Sequence, residues 1–567
     1  MKQTIKKFPL LFKIIILFLK QEIKYIISIF NFKKKLHDKN LDLIDKKKNF
    51  FTKFAFNEKK EKKILITSFL GINDYLKYEY LLGIYLSNIR KESITVLLEK
   101  KDSYSKNFFL KKGLNNFIYY RSKPIFLKRV IYFIKSYYIM SKIKNINEFV
   151  KFKYEGIPTG KMIYSHVARF TRIATFDKIE PKFYSTFAIY LHYAQEFKNI
   201  IDKNKFKYFV QSEPQFIPPS IFMGYALKKK INMLTRMGTN KIITTRIINN
   251  VKNFLETRWK YDKKNFDLIK KKYKSKAIKI GAKIINDRFN GLKDVSNQDI
   301  SQEIIKLKKS KKVNYFEKYD KKYVCKFFNW QLSKPIGIIM ANDLTDGLFN
   351  HKWEIYRDNY IWLREVIKFA SMNSNINWIV KPHPNDIKND DAQKVKKIFE
   401  KNIHPNHIKF FPENWGKANL HKVSNIIYTN FGSAAYEYAA MGVPAVISSE
   451  CNIYGLNIAY ETKNPAQLKK IIMRSHKIKR LDKRTIDNAK IFVFLEEVFT
   501  KVKIDTATND NLKEEDVNSP NYWKRYFENY KNTKVYKNKS LEKDEFYRTL
   551  KYQVDKKLKH SINLKFI

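Results

Sequence analysis

Short β-branched apolar runs, each ending in a polar loop, recur along this chain and restrict its fold more than any other feature. KILITSFL (63–70), SITVLLEK (93–100) and FKYFVQSEP (206–214) lie in the first half. PIGIIMA (335–341), NWIVK (377–381), HIKFF (407–411), NIIYT (425–429) and PAVIS (444–448) lie in the second. Runs this short and continuously apolar read as strands buried on both faces. Helical patterns separate several of them, GINDYLKYEYLLGIYLSNI after the first and WEIYRDNYIWLREVIKFASM after PIGIIMA. Strands alternating with helices predict parallel, doubly wound sheets.

The expected fold class is α/β: two Rossmann-like domains facing a cleft, with helical N-terminal and C-terminal extensions. The boundaries follow shifts in composition. Residues 1–60 form a basic amphipathic segment and 61–250 an N-terminal Rossmann-like domain. The charged stretch 251–330, almost without glycine or proline, reads as a helical connector. Residues 331–505 form the second Rossmann-like domain and 506–567 a helical tail.

Lys and Arg number 113 against 54 Asp and Glu, a formal charge of +59. The excess is spread over the whole length and no zinc-finger, RRM or KH signature accompanies it, so nucleic acid is not the expected partner. A basic surface toward anionic lipid or a phosphorylated substrate fits better. Residues 8–19, FPLLFKIIILFL, contain an uninterrupted apolar piece of only six residues, and Lys13, Lys20, Glu22 and Lys24 break the remainder. A spanning helix needs ~20 mostly apolar residues. The segment suits a helix lying in the membrane interface or one packed on another domain, and the sequence leaves both open. The two cysteines, Cys325 and Cys451, match no metal or disulfide framework. The expected location is cytoplasmic, peripheral on the inner face of the membrane.

Ligands of open α/β sheets sit at the carboxyl ends of the strands. NWIVK leads into KPHPND, which places Lys381, His383, Asn385 and Asp386 just past a strand end. Pro382 and Pro384 keep that backbone extended. HPNH (404–407) has no strand leading into it and serves as an internal control. NIIYT, NFG and SAAYEYAAM read as strand, turn and helix. Only 15 glycines occur in 567 residues, against a usual share of ~7%, yet two flank this helix. Gly432 leaves the turn open to a phosphate and Gly442 ends the helix. Ser433 is placed to cap the helix, whose first turn attracts an anion. Glu437 follows one turn deeper on the same face, suited to ribose hydroxyls.

KPHPND followed by TNFGSAAYEYAAMGVPAVI resembles the C-terminal half of GT-B-type bacterial surface-carbohydrate enzymes. It is similar to the capsule polysaccharide biosynthesis group, which includes Kdo transferases, and more distantly to glycerophosphotransferases of wall teichoic acid. MANDLTDGLF, YEGIPTGKMIYSHVARF and SKAIKIGAKIINDRFNG resemble further segments of the family. The resemblance implies that His383 and Ser433 contact the donor phosphate, that Thr429, Asn430 and Gly432 line the loop, and that Glu437 binds the ribose. Asp346 matches the aspartate of the family's loop. Lys161 and Ser165 stand where the family often has acidic residues.

The implied activity is transfer of a sugar from a nucleotide-activated donor to an oligosaccharide or lipid-linked acceptor of a surface polysaccharide. The same fold also carries polyol-phosphate transfer and nucleotide-sugar epimerisation, and a non-enzymatic basic membrane- or nucleic-acid-binding protein is a further reading. A transferase of this kind works by orienting substrates and stabilising the leaving phosphate. Helix dipoles, Lys381 and His383 can supply that stabilisation, so no metal is expected, and no cofactor beyond the nucleotide sugar as co-substrate. Glu213, Asp343 and Asp346 are the candidate bases for the acceptor hydroxyl.

Overall fold

The computed structural model describes residues 62–71, 73–238, 242–251, 263–289, 320–348, 354–384, 394–412, 420–504, 531–538 and 540–567, with isolated positions elsewhere. The N-terminal amphipathic segment, Asn385 and much of the expected connector lie outside them. Among the described residues no helix is long and apolar enough to cross a membrane. The chain divides into two compact units. The first comprises Met1–Val167, Phe176–Phe254 and Val502–Leu564, and the second Ala168–Thr175, Leu255–Lys501 and Lys565–Ile567.

In the first unit the order is β1 (Lys62–Thr67), α1 (Asn73–Arg90), β2 (Ser93–Glu99), α2 (Ser103–Lys111), β3 (Phe117–Tyr120), α3 (Phe126–Met140) and α4 (Ile146–Lys151). Helices α5 (Thr159–Thr171) and α6 (Pro181–Lys203), β4 (Tyr208–Val210), α7 (Pro219–Lys228), β5 (Asn232–Met237) and β6 (Ile242–Ile248) follow, α5 running on into the segment assigned to the second unit. In the second unit come α8 (Lys263–Lys272), α9 (Lys274–Phe289), α10 (Lys321–Phe328), β7 (Ile336–Met340), α11 (Asn359–Ser371), β8 (Asn377–Lys381), α12 (Val395–Glu400) and β9 (Ile408–Phe410). They are followed by α13 (Leu420–Val423), β10 (Ile426–Thr429), α14 (Ala434–Ala440), β11 (Ala445–Ile447), β12 (Tyr460–Glu461), α15 (Pro465–Met473) and α16 (Lys483–Phe494). The chain then returns to the first unit with β13 (Val502–Lys503), α17 (Lys534–Asn538) and α18 (Glu545–Asp555).

Both units are α/β. The first sheet runs β13-β6-β5-β4-β1-β2-β3, parallel from β5 to β3, with β6 and β13 antiparallel at its edge. The second runs β12-β11-β10-β7-β8-β9 and is parallel throughout. Each of the eight predicted strands is present. Strands β5 and β6 escape sequence reading because Asn232, Arg236, Thr244, Thr245 and Arg246 interrupt their apolar pattern.

Two expectations change. Residues 502–564 belong to the first unit: β13 pairs with β6, and Val535, Phe546, Leu550 and Val554 complete a core with α1 and β1. The Tyr85 hydroxyl donates to Asp544 inside that core. The helix expected from Trp353 begins only at Asn359, because the Asp358 carboxylate caps the Ile361 amide at 2.8 Å. Glu354, just upstream, instead bridges to Ser449 beside β11.

Candidate functional site

A parallel sheet gathers the carboxyl ends of its strands along one edge, and the strand order shows where that edge opens. From β7 the chain proceeds outward to β8 and β9, then returns to the opposite side of β7 as β10. The loops after β7 and β10 therefore diverge, which is the topological switch point of such a sheet.

Asn342, two residues past the end of β7, ties the two loops together. Its Oδ1 accepts from the Asn430 amide at 3.1 Å and from Thr429 Oγ1 at 3.3 Å. Asn430 is also saturated internally: its Nδ2 donates to Asn359, and its Oδ1 accepts from Ser449 at 2.6 Å. Thr429 Oγ1 in turn accepts from the Gly432 amide at 3.2 Å. A Cβ at residue 432 would stand 2.8 Å from that oxygen, so the turn itself demands glycine. Thr429 and Asn430 thus shape the loop, while Ser433 is exposed beyond it. Ser433 makes no side-chain capping bond, because its backbone is already helical rather than extended. Gly442 has φ +83 and ends α14 in the left-handed conformation, as its position in the sequence implies.

Loop 341–347 holds the carboxylates. Asp343 is buried, and its Oδ1 accepts from both the amide and the hydroxyl of Thr345, at 3.0 and 3.1 Å. Asp346 Oδ1 accepts from the Gly347 amide. The remaining oxygens of both residues face one guanidinium: Arg169 Nη1 lies 3.6 Å from Asp343 Oδ2 and 3.5 Å from Asp346 Oδ2. Arg169 belongs to the segment Ala168–Thr175 of the same unit. It is a site residue that sequence reasoning missed, since YSHVARF reads as an ordinary amphipathic helix end.

His383 joins this group from β8. Burial pushes its imidazole down to about 4; the neighbouring Asp343 charge opposes that shift and Lys381 adds to it. The ring is therefore neutral at physiological pH, able to donate one N–H and accept at the other nitrogen. Lys381 spans the strand end with its ammonium over the Phe411 ring, 5.5 Å from the centroid. Asp386 Oδ2 accepts from the Val395 amide and organises the start of α12. The control behaves as expected: His404 stacks on Phe399 and bonds its carbonyl, a packing role.

Glu437 sits one turn into α14 in a network of its own. Its carboxylate meets Arg288 Nη1 at 3.1 Å, and Arg288 Nη2 meets Glu497 at 2.6 Å. Lys501 closes on the other oxygen of Glu497. Burial opposes the charge of Arg288, but Tyr436, Glu437 and Glu497 around it keep it firmly protonated. Burial alone would push Glu497 up, yet Lys501 and Arg288 hold it below the usual carboxylate range. Burial, reinforced by Glu497, raises the adjacent Glu496. Glu437 is thus paired with, and oriented by, a cation from α9.

Glu213 belongs to the first unit, at the equivalent switch between β1 and β4. Its Oε1 accepts from the Gln215 amide at 2.7 Å, while Gln211 Nε2 donates to its carbonyl. Beside it the Ser212 amide donates to Glu79 Oε1 at 3.1 Å. Burial raises Glu79 to about 8, offset only partly by that amide and by Arg236. The Arg236 guanidinium lies over the Tyr78 ring at 4.0 Å. His166 accepts from the Ile217 amide and is pushed by burial to about 4.

No family model and no curated protein matches the chain. Among solved structures, it is similar to the Thermosulfurimonas dismutans KpsC beta Kdo 2,4 transferase, with 10% identity over 54% of this chain and 83% of that one, at a TM-score of 0.29. It is also similar to a glycosyltransferase from Rickettsia africae, with 12% identity over 77% and 93% at a TM-score of 0.25. Anabaena Alr3699/HepE in complex with UDP-glucose shows 10% identity over 76% and 95%, again at 0.25. Likenesses at this level lend no weight to a particular reaction.

Proposed function

We propose that this protein is a GT-B-type glycosyltransferase that moves a sugar from a nucleotide-activated donor onto a surface polysaccharide. The observation that carries the reading is the convergence at the switch point of the second sheet. Neutral His383, the cations Lys381 and Arg169, and the divergent loops after β7 and β10 meet where an α/β sheet takes its ligand. An anionic diphosphate suits that edge: lysine and arginine supply charge, and the imidazole N–H a directed hydrogen bond.

Arg169 is presently neutralised by Asp343 and Asp346. A phosphate competing for it frees a carboxylate, and either aspartate then becomes available to accept the proton of an acceptor hydroxyl. Glu437, pre-oriented by Arg288, takes the ribose hydroxyls. No step in this scheme needs a metal ion, and donor and acceptor are its only partners.

The test is thermal-shift binding of CMP, CDP, UDP, GDP and their sugar conjugates, with and without Mg²⁺, followed by a transfer assay with the donor that binds. A ligand held at ~100 times its Kd stabilises the fold by about 2.7 kcal/mol. The reading expects one nucleotide class to shift wild type, and Glu437→Gln to lose that shift. A shift retained in Glu437→Gln sinks the ribose assignment. A product carrying a phosphodiester, or an epimerised donor, replaces glycosyl transfer with the corresponding reaction of the same fold.

A further inference from the structure

Helix α3 carries an apolar row on its solvent side. Leu127, Ile131, Ile134 and Tyr138 are 67, 52, 62 and 62% exposed. Their spacing of four, three and four residues puts them on one stripe. Phe133, Ser136 and Met140, on the opposite stripe, are buried, so the helix is anchored against the unit by its other face. Ile125 and Phe126, 56 and 59% exposed, extend the apolar surface at its start. Isolated exposed hydrophobes are ordinary, but a contiguous row marks an interaction site.

Charge identifies the occupant. Lys128 and Lys135, seven residues apart, form a second row bordering the first, and Lys142 follows two residues past the end of the helix. The Lys142 ammonium lies over the exposed Tyr138 ring, 4.1 Å from its centroid, which puts positive charge at the edge of the apolar row. Between Asp102 and Glu148 the chain has no acidic residue at all. On the helices packed around α3, the nearby acid is Glu196 of α6, which accepts from the Arg121 amide.

We infer that α3 is the surface by which this protein docks on an anionic lipid bilayer. The helix has 15 residues, about 22 Å at 1.5 Å each. It is too short to cross a hydrocarbon core of ~30 Å and long enough to lie along its boundary. Its apolar row enters the acyl boundary while the lysine row meets the headgroups. Nucleic acid would leave four large apolar side chains unused. The chain's own N-terminal residues are a poor cover, because residues 1–35 carry nine lysines against the single acid Glu22 and repel this face. The inference is independent of the reaction at the second sheet.

The experiment is flotation of the full chain with vesicles of phosphatidylcholine, alone and mixed with phosphatidylglycerol. Wild type is expected to float with the mixed vesicles and to be released by salt. The pair Ile131→Ser/Ile134→Ser should weaken partitioning at least tenfold with an unchanged unfolding midpoint. Lys128→Gln/Lys135→Gln should weaken it roughly fivefold for each lysine removed. A dye on Ile134→Cys should shift to the blue on mixed vesicles, Cys325 and Cys451 being buried. Failure of wild type to float overturns the proposal. So does flotation of both pairs as strong as wild type, which would hand membrane contact to another segment, or a dye that stays in water while the protein floats.

Discussion

Replacing Glu79 with glutamine tests the polar edge of the first sheet directly. Glu79 is 3% exposed, and its carboxyl is raised from an ordinary 4.5 to about 8. The unfolded chain releases this proton near 4.5, whereas the folded chain retains it up to about 8. Across that window the folded state binds the extra proton, so stability falls as pH rises. The loss is absent below the lower value and complete above the upper one. At 1.36 kcal/mol per pH unit the interval allows at most about 5 kcal/mol, and side-chain relaxation brings the expected gap to roughly 2–4 kcal/mol. Glutamine keeps the oxygen that accepts from the Ser212 amide and cannot ionise. The variant should match wild type near pH 5 and exceed it increasingly toward pH 9. The assay is pulse proteolysis in urea at several pH values, read on peptides of the first unit so that the second does not contribute. Background titrations are common to both proteins and cancel in the difference. Curves for wild type and Glu79→Gln that stay parallel from pH 5 to 9 would refute the reasoning.

His383→Gln should lower transfer by about 100-fold or more while leaving the unfolding midpoint unchanged, measured as kcat/KM beside a melting curve. Because burial holds the free imidazole near 4, its protonation reduces kcat/KM only at the acid end, and an inflection near 6.5 traced to His383 by this variant would contradict the assignment. Arg288→Gln strands Glu437 and Glu497 without their shared cation and should cost about 3–5 kcal/mol, read by fluorescence of Trp362 and Trp378 in the second unit. Gly432→Ala places a methyl against Thr429 Oγ1 and should cost about 1–3 kcal/mol, with loss of nucleotide binding greater than the stability change alone explains.

Five strands of the second sheet, β7 to β11, were legible from the sequence because they are short, mostly apolar and punctuated by prolines and glycines, and the residues beyond them fall at one edge by topology alone. Gly442, His404 and the ends of β8 and β10 follow from that local chemistry. The residues that escaped do so because their partners are remote in sequence. Arg169 is 174 positions before Asp343, and Arg288 is 149 before Glu437. Nothing in the local pattern of YSHVARF or INDRF reports those pairings. The same holds for α18, whose amphipathic face finds its core against α1 more than 400 residues earlier in the chain. Asn430 carries a different lesson. A polar residue in a ligand-facing loop reads as a contact, yet five internal hydrogen bonds make it the peg that fixes the loop.

The two switch points share a topology and differ in chemistry, and that difference bears on how the substrates divide between the units. At the second sheet the groups past the strand ends include two cations and an imidazole, arranged around carboxylates that a ligand can displace. At the first sheet the groups are a carboxyl that stays protonated near neutrality, a glutamine, serines and an arginine whose face is taken up by Tyr78. An edge with one cation engaged and its nearest acid uncharged offers a diphosphate little. A neutral, polyhydroxylated ligand suits such an edge better than a charged one. We propose the corresponding division, donor on the second unit and acceptor hydroxyls on the first. It makes Glu213 the group to examine there, since its Oε1 is held by the Gln215 amide at the open end of β4. If the division is right, Glu213→Gln raises the acceptor KM or lowers kcat and leaves nucleotide affinity untouched, whereas weakened nucleotide binding in that variant would place the donor on the wrong sheet.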